Sequence, residues 1–193
     1  MDFYLASTSE RRVQLLGLLD YQFRRIDGTI DERIFDGEMV HDYVLRMALN
    51  KARCGLEKVS SGHPVLGADT VISCDGGILG KPQDQHQSLQ MLRRLSDRTH
   101  QVLTAVAVVT NTREQHCIVT TDVTMRAISD DEMIRYWHSG EPVDKAGSYA
   151  IQGIGGKFIA SIHGSYSAVV GLPLVESEYL LKKFVPDCPE SKN

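Results

Sequence analysis

The sequence predicts one α/β domain, and three observations predict it. Short apolar runs that suit strands alternate with stretches whose apolar residues recur every three or four positions, as helices require. Some strand candidates are joined by a tight turn and others are separated by a helix, a mixture that neither an all-helical nor a purely antiparallel fold produces. No internal repeat, low-complexity run or linker interrupts the 193 residues, which are enough chain for one substantial core. The domain is expected over residues 1–185, with two lobes around a cleft, and a frayed tail at 186–193. Hydrophobic residues make up 42% and charged residues 24%, ordinary globular proportions that, with 16 glycines, exclude a disordered chain or a coiled coil.

Residues 3–7 form the first strand candidate, carrying Tyr4, Leu5 and Ala6. Ser7, Thr8 and Ser9 follow as N-cap material, and residues 11–19 read as a helix through Val13, Leu16 and Leu19. A helix start with Arg11 and Arg12 offers N–H groups and positive charge to an anion, although two arginines also suit a solvated helix face. A strand at 21–26 leads into a polar stretch at 27–38 that contains Asp31 and Glu32. Residues 41–58 turn helical: Val40, Val44, Met47, Ala48 and Ala52 share one stripe, with Lys51 at its edge. A turn at 60–64 precedes an apolar strand at 65–72, interrupted by Asp69. Residues 75–77 make a hairpin turn, and the chain returns through Ile78 and Leu79.

Leu89, Leu92 and Leu95 mark a helix at 88–95. Strands at 101–110 and 116–125 are joined by a polar turn at 111–114, with Val102, Thr104, Val106, Val108 and Thr110 alternating on one face of the first. Ser129 and Glu132 have the spacing of a capping box before a helix at 133–138, which Gly140 ends. Gly155 and Gly156 are expected in a turn, residues 157–162 in a strand, and residues 164–170 in a loop and strand. Leu172 and Pro173 open a last helix at 174–184.

Lys plus Arg total 21 against 25 for Asp plus Glu, a net charge of -4 that excludes a broad basic face for long nucleic acid. It does not exclude a small phosphate-bearing ligand, for which a few placed cations suffice. No run approaches the roughly 18 apolar residues of a membrane span, and the N-terminal residues lack the basic and apolar blocks of a secretory signal. Cys54, Cys74, Cys117 and Cys188 are spaced too widely for a zinc knuckle or a disulfide framework, so reduced thiols in the cytoplasm are expected. The P-loop, the dinucleotide fingerprint, HExxH and the nucleophile elbow are all missing; Gly164-Ser165-Tyr166-Ser167 does not match the last of these.

What remains is an inventory suited to phosphate chemistry, which is mainly positioning and charge stabilisation. Asp69 inside an apolar strand is costly to bury without a partner. It is either held in an internal salt bridge or backbone cap, or it is a carboxylate fixed on a rigid strand to bind a metal or activate water. Asp31, Glu32 and Asp69 are hard oxygen donors for Mg²⁺ or Mn²⁺. Arg11, Arg12, Lys51, Lys81 and Lys145 are cations able to neutralise phosphates. The residues alone leave three classes open: hydrolysis of a phosphate ester or anhydride, a nucleotide-binding regulatory module, and an α/β domain of another kind.

Five separated segments resemble the Maf family of nucleotide pyrophosphatases. They are Leu5-Ala6-Ser7-Thr8-Ser9-Glu10-Arg11-Arg12, Asn50-Lys51-Ala52, Leu66-Gly67-Ala68-Asp69-Thr70-Val71, Gly80-Lys81-Pro82, and Asp144-Lys145-Ala146-Gly147 through Gln152-Gly153. Gly164-Ser165-Tyr166 and Val169-Val170-Gly171-Leu172-Pro173 add to them, so the resemblance runs from Leu5 to about Phe184. It implies an inosine-triphosphate-pyrophosphatase-like (Maf/Ham1) fold: a mixed twisted sheet with flanking helices, two lobes around a cleft, commonly in a homodimer. It further implies a cytoplasmic enzyme that uses a divalent cation, Mg²⁺ or Mn²⁺, to hydrolyse a nucleoside triphosphate between its α and β phosphates.

The run from 146 to 153 resembles the branch that acts on dTTP and UTP. On that resemblance Asp69 is the catalytic carboxylate, as general base, metal ligand or both, and Glu32 and Asp69 hold the metal. Ser7, Arg11, Arg12, Lys51, Lys81 and Lys145 contact phosphates, with an ion pair near Asp144 as the other reading of Lys145. Arg12, Thr70 and Gln152 recognise the base. A glutamine amide offers one donor and one acceptor, which match the O4 and N3–H edge shared by thymine and uracil; CTP should be disfavoured because polar atoms would be left unmatched. The implied partners are small nucleoside triphosphates, with no long nucleic acid and no membrane. The alternative is a nucleotide-binding regulator linked to cell division, with weak or no catalysis. One position departs from the family pattern: Glu10 stands where proline is usual. Both residues suit a first helical turn, but Glu10 adds an anion close to the expected phosphate site.

Overall fold

The computed structural model describes residues 1–60 and 62–185; Ser61 of the expected turn and the tail at 186–193 lie outside the described residues. The strands are β1 (Phe3–Ala6), β2 (Phe23–Ile26), β3 (Val65–Cys74), β4 (Gly77–Leu79), β5 (Thr99–Val109), β6 (Glu114–Met125) and β7 (Ile159–His163). They form a seven-stranded mixed sheet in the order β2-β1-β3-β5-β6-β7, with β4 paired to β3. β1 runs parallel to both β2 and β3, whereas β3 with β4 and β6 with β7 are antiparallel. The helices are α1 (Glu10–Leu16), α2 (Val40–Glu57), α3 (Gln85–Leu95), α4 (Asp130–His138), α5 (Tyr166–Val170) and α6 (Leu174–Lys182), with 3-10 turns at Glu141–Asp144, Ala146–Ser148 and Ile154–Phe158. The expected α/β architecture is therefore observed.

The chain divides into two compact units. Of the described residues, the first takes 1–60, 62–69, 105–118 and 171–185; the second takes 70–104 and 119–170. In the first unit the apolar stripe of α2 (Val40, Val44, Met47, Ala48 and Ala52) is buried as its spacing predicts. β3 reaches the backbone of that helix at Gly67, where a Cβ would lie 2.5 Å from both the Ala48 carbonyl oxygen and the Ala52 nitrogen. Only glycine permits that approach, and Asp69 follows two residues later. In the second unit, Ile72, Leu79, Leu92, Leu95, Val102, Val123, Met133, Tyr136 and Phe158 belong to one buried cluster. The hairpin turn is as expected, with positive φ at Asp75 and Gly76. So is the reciprocal capping box between Ser129 and Glu132.

Several boundaries differ for identifiable reasons. α1 stops at Leu16 rather than 19, because Gly17 caps it and Leu18 turns out to solvent at 71% exposure. Its cap also differs from expectation: Ser9 makes no side-chain cap bond, and the Ser7 hydroxyl accepts instead from the Ser9 N–H at 3.1 Å. α3 starts three residues early because Asp84 accepts from the Gln87 N–H at 2.8 Å. β5 is buried along nearly its whole length rather than on one face, since it pairs between β3 and β6. Gly155 and Gly156 fall within a 3-10 turn that runs to Phe158, so β7 begins at Ile159. The strand expected within 164–170 is the short helix α5: Ser165 caps it by accepting from the Ala168 N–H at 3.2 Å, which outweighs the β-branched Val169 and Val170.

Candidate active site

In the first unit, α2 and the polar stretch at 27–38 are laced together at helical spacing. Lys58 binds Asp27 at 2.7 Å, the Cys54 thiol faces the Thr29 carbonyl, and Lys51 binds Glu32 at 2.6 Å. One to two turns earlier on α2, the Arg46 guanidinium donates to the Arg33 carbonyl at 2.9 Å and the Tyr43 hydroxyl to the Glu32 carbonyl at 3.0 Å. Positions 43, 46, 51, 54 and 58 recur every three to five residues, so one side of the helix pins a segment that has no regular structure of its own. Arg46 also pairs with Glu38 through two contacts of 2.5 and 2.6 Å and stacks 4.1 Å over the Phe35 ring.

The result is a three-residue charged group. The Lys51 ammonium lies 2.7 Å from Asp69 and 2.6 Å from Glu32. The Lys51 and Asp69 side chains are each 12% exposed, whereas that of Glu32 is 50% exposed. Asp69 is thus the partnered buried carboxylate that its apolar strand demands, and Glu32 keeps one side toward water. Burial, followed by the negative charges of Asp69 and Glu32, pushes the Tyr43 phenol up to about 12, so it stays a neutral donor to the loop. Asp31 turns away to Arg33, which it binds at 2.6 Å, and does not join Glu32.

Arg12 faces the same two carboxylates electrostatically. Desolvation pulls its pKa down from the ordinary arginine value and Arg11 adds to that, while Asp69 and Glu32 act in the opposite direction. Its Nε donates to the Gly171 carbonyl at 2.9 Å. Gly171 has φ +132°, a conformation that side chains rarely adopt, so the glycine is what turns that carbonyl toward Arg12. Ser7 is buried, and its carbonyl accepts from Arg25 Nε at 2.8 Å. Arg25 also binds the Thr8 carbonyl and the Glu10 carboxylate. The anion that departs from the family pattern is therefore paired with a cation on β2.

The remaining expected residues belong to the second unit. Thr70 follows Asp69 directly on β3, and its hydroxyl is 3.0 Å from that of Thr104. Lys81 is exposed. Lys145 pairs with Asp144, the second of the two readings its sequence left open, and its charge also acts on Glu141. Gln152 is exposed at the start of a glycine-rich turn.

Residues 2–184 match the family described as Maf-like protein. The chain belongs to the Maf family. A dTTP/UTP pyrophosphatase of Pseudoalteromonas translucida is 50% identical over 182 residues, covering 94% of this chain and 96% of its own. A protein of the same description from Escherichia coli is 49% identical over 181 residues, covering 94% and 92%. Among solved structures, the Staphylococcus aureus Ham1 protein superposes with a TM-score of 0.47 at 12% identity, covering 65% of this chain and 72% of its own.

Sequence reasoning on this Maf-family chain missed Arg25 and Tyr43, and also Tyr136 and Glu141, which bond to each other and to the backbone on either side of Gln152. Tyr43 had a signal, since it lies two turns before Lys51 on the same helix. Arg25 had none until the parallel register of β1 and β2, with Leu5 opposite Arg25, set it beside Ser7 and Thr8. Among the described residues no group of three or more His, Cys, Asp or Glu side chains could hold a metal. Glu32 and Asp69 nevertheless bring two carboxylate oxygens onto one cation position, now taken by the Lys51 ammonium. Two hard oxygen donors fit Mg²⁺ or Mn²⁺ when phosphate oxygens and water complete the shell. Among the described residues no helix is long and apolar enough to cross a membrane.

Proposed function

We propose that this chain is a nucleoside triphosphate pyrophosphatase that cleaves dTTP and UTP between the α and β phosphates, releasing the monophosphate and pyrophosphate. The observation that carries the reading is the Asp69–Lys51–Glu32 group, set in a chain 50% identical to a dTTP/UTP pyrophosphatase over 94% of its length. Asp69 takes the proton of the attacking water, and its rigid strand and the Lys51 ammonium orient it. A bound Mg²⁺ or Mn²⁺, held by Glu32 and Asp69, would neutralise phosphate charge and lower the pKa of water. Arg11, Arg12, Lys51 and Lys81 offset the charge that develops as pyrophosphate departs. Lys145, partly neutralised by Asp144, contributes less. Gln152 and Thr70 supply neutral hydrogen-bonding groups for the base, and the Gln152 amide pairs with the O4 and N3–H edge common to thymine and uracil.

The test is a panel of nucleoside triphosphates with Mg²⁺ or Mn²⁺, read for pyrophosphate. The reading predicts pyrophosphate release, fastest with dTTP and UTP and slower with CTP. Orthophosphate instead of pyrophosphate would overturn it. Tight binding with no release would favour the nucleotide-binding regulator.

A further inference from the structure

In the second unit, the backbone on both sides of Gln152 is tied to one carboxylate and one phenol. Tyr136, near the end of α4, is 1% exposed and packs edge-on against Phe158 with ring centres 5.2 Å apart. Its hydroxyl donates to Glu141 Oε1 at 2.7 Å and accepts from the Ala150 N–H at 3.2 Å. Glu141 lies just past Gly140, whose φ of +78° reverses the chain after α4. Its Oε2 accepts from the Ile154 N–H at 2.8 Å, and its Oε1 from the Gly155 N–H at 2.9 Å. The residues two before Gln152 and two and three after it are therefore anchored to the same pair of side chains.

The glycines of the turn record how tightly it closes on that pair. A Cβ at Gly153 would run into the Glu141 carboxylate, and one at Gly155 would lie 2.5 Å from the Tyr136 hydroxyl oxygen. At Gly156 it would lie 2.6 Å from the Ile151 carbonyl oxygen. Burial alone would raise the Glu141 pKa, but the bonds from Tyr136, Gly155 and Ile154 and the charge of Lys145 outweigh it and hold the carboxyl below its usual range. The clamp thus stays charged at neutral pH, and charge-assisted bonds to backbone N–H groups are the stronger kind.

We infer that Tyr136 and Glu141 are positioning residues for base selection: together they fix the 150–155 turn and so aim the exposed Gln152 amide. An exposed amide on a turn discriminates between bases only if the backbone beneath it is held in place. The inference rests on the proposed reading of Gln152, and its test separates the two. Steady-state kcat and KM of the full chain would be measured for dTTP and ATP in Tyr136→Phe, Glu141→Gln and Gln152→Ala, and in Tyr136→Phe placed on the Gln152→Ala background. Tyr136→Phe and Glu141→Gln are each expected to lower the dTTP-over-ATP ratio of kcat/KM about five- to tenfold, mainly through the KM for dTTP. With Gln152 already removed, Tyr136→Phe should lower the ratio no further. If Gln152→Ala changes the ratio while Tyr136→Phe and Glu141→Gln only lower thermal stability, or if the losses add in the double variant, the clamp is merely structural and the inference fails. If Gln152→Ala leaves the ratio unchanged, the reading of Gln152 fails, and this inference with it.

Discussion

The charged group of the first unit and the glycine-rich turn of the second are held in place by different physics. Around Asp69, the order comes from opposite charges: one ammonium between two carboxylates, with the Arg12 guanidinium close enough to feel both. Around Gln152, it comes from backbone N–H groups gathered by one carboxylate and one neutral phenol. Charge pairs leave a group able to exchange one cation for another, which is what the proposed function asks of Asp69 and Glu32. Directional bonds to backbone fix shape, which is what the proposed function asks of the turn that carries Gln152. The two regions are therefore expected to fail in different ways when perturbed.

Lys51→Met should have the largest effect among the supporting residues. It leaves Asp69 buried without its ammonium, with Arg12 as partial compensation, so a loss of about 2 kcal/mol in urea denaturation is expected. On the proposed function turnover should fall about 100-fold or more, because the carboxylate is no longer oriented and the cation proposed to neutralise phosphate is gone. Unchanged stability would mean that the ion pair does not hold Asp69.

The second unit predicts a pH effect of similar size in stability but none specific to the reaction. His100 is 2% exposed, with its ring nitrogen 2.7 Å from the Tyr149 hydroxyl. Burial lowers its pKa from 6.5 to about 4. The unfolded chain binds a proton below pH 6.5 that the folded chain refuses until about pH 4, so stability present above pH 6.5 is lost across that window as pH falls. Urea denaturation should show about 2 kcal/mol lost between pH 6.5 and 4.5, and His100→Gln should flatten that slope. A slope that persists in the variant would place the proton elsewhere.

The smallest effect is expected at Glu10. Its pair with Arg25 is solvent-exposed on both sides, and Arg25 keeps its bonds to the Ser7 and Thr8 carbonyls without it. Glu10→Gln should cost less than about 1 kcal/mol in thermal denaturation and change KM for dTTP less than about twofold, because the charge it removes is already balanced. A large fall in KM would show that Glu10 repels the triphosphate after all.

The elements legible in the sequence were those with local signals: the stripe of α2, the turn after β3, the capping box of α4. Asp69 was legible because a lone acid in an apolar strand needs a reason. Its partner was harder, since Lys51 reaches it only because Gly67 lets β3 touch the helix backbone. Arg25 and Glu141 were illegible for the same physical cause. Arg25's contacts lie 15 to 18 residues away in the chain and Glu141's bonds to the turn 13 and 14 residues away, and they depend on strand register or on how a turn closes. In α5 two valines signal a strand locally, while the Ser165 cap that decides for a helix is a single hydrogen bond.

On the proposed function, Asp69 drives cleavage of the α–β phosphoanhydride. The most direct test follows dTTP by phosphorus NMR in the presence of Mg²⁺ with the native chain and with Asp69→Asn, alongside equilibrium binding of dTTP to both. The account predicts dTMP and pyrophosphate from the native chain, and turnover reduced by about 1,000-fold or more in a folded variant that still binds dTTP. Formation of dTDP and orthophosphate, or undiminished turnover by Asp69→Asn, would contradict it.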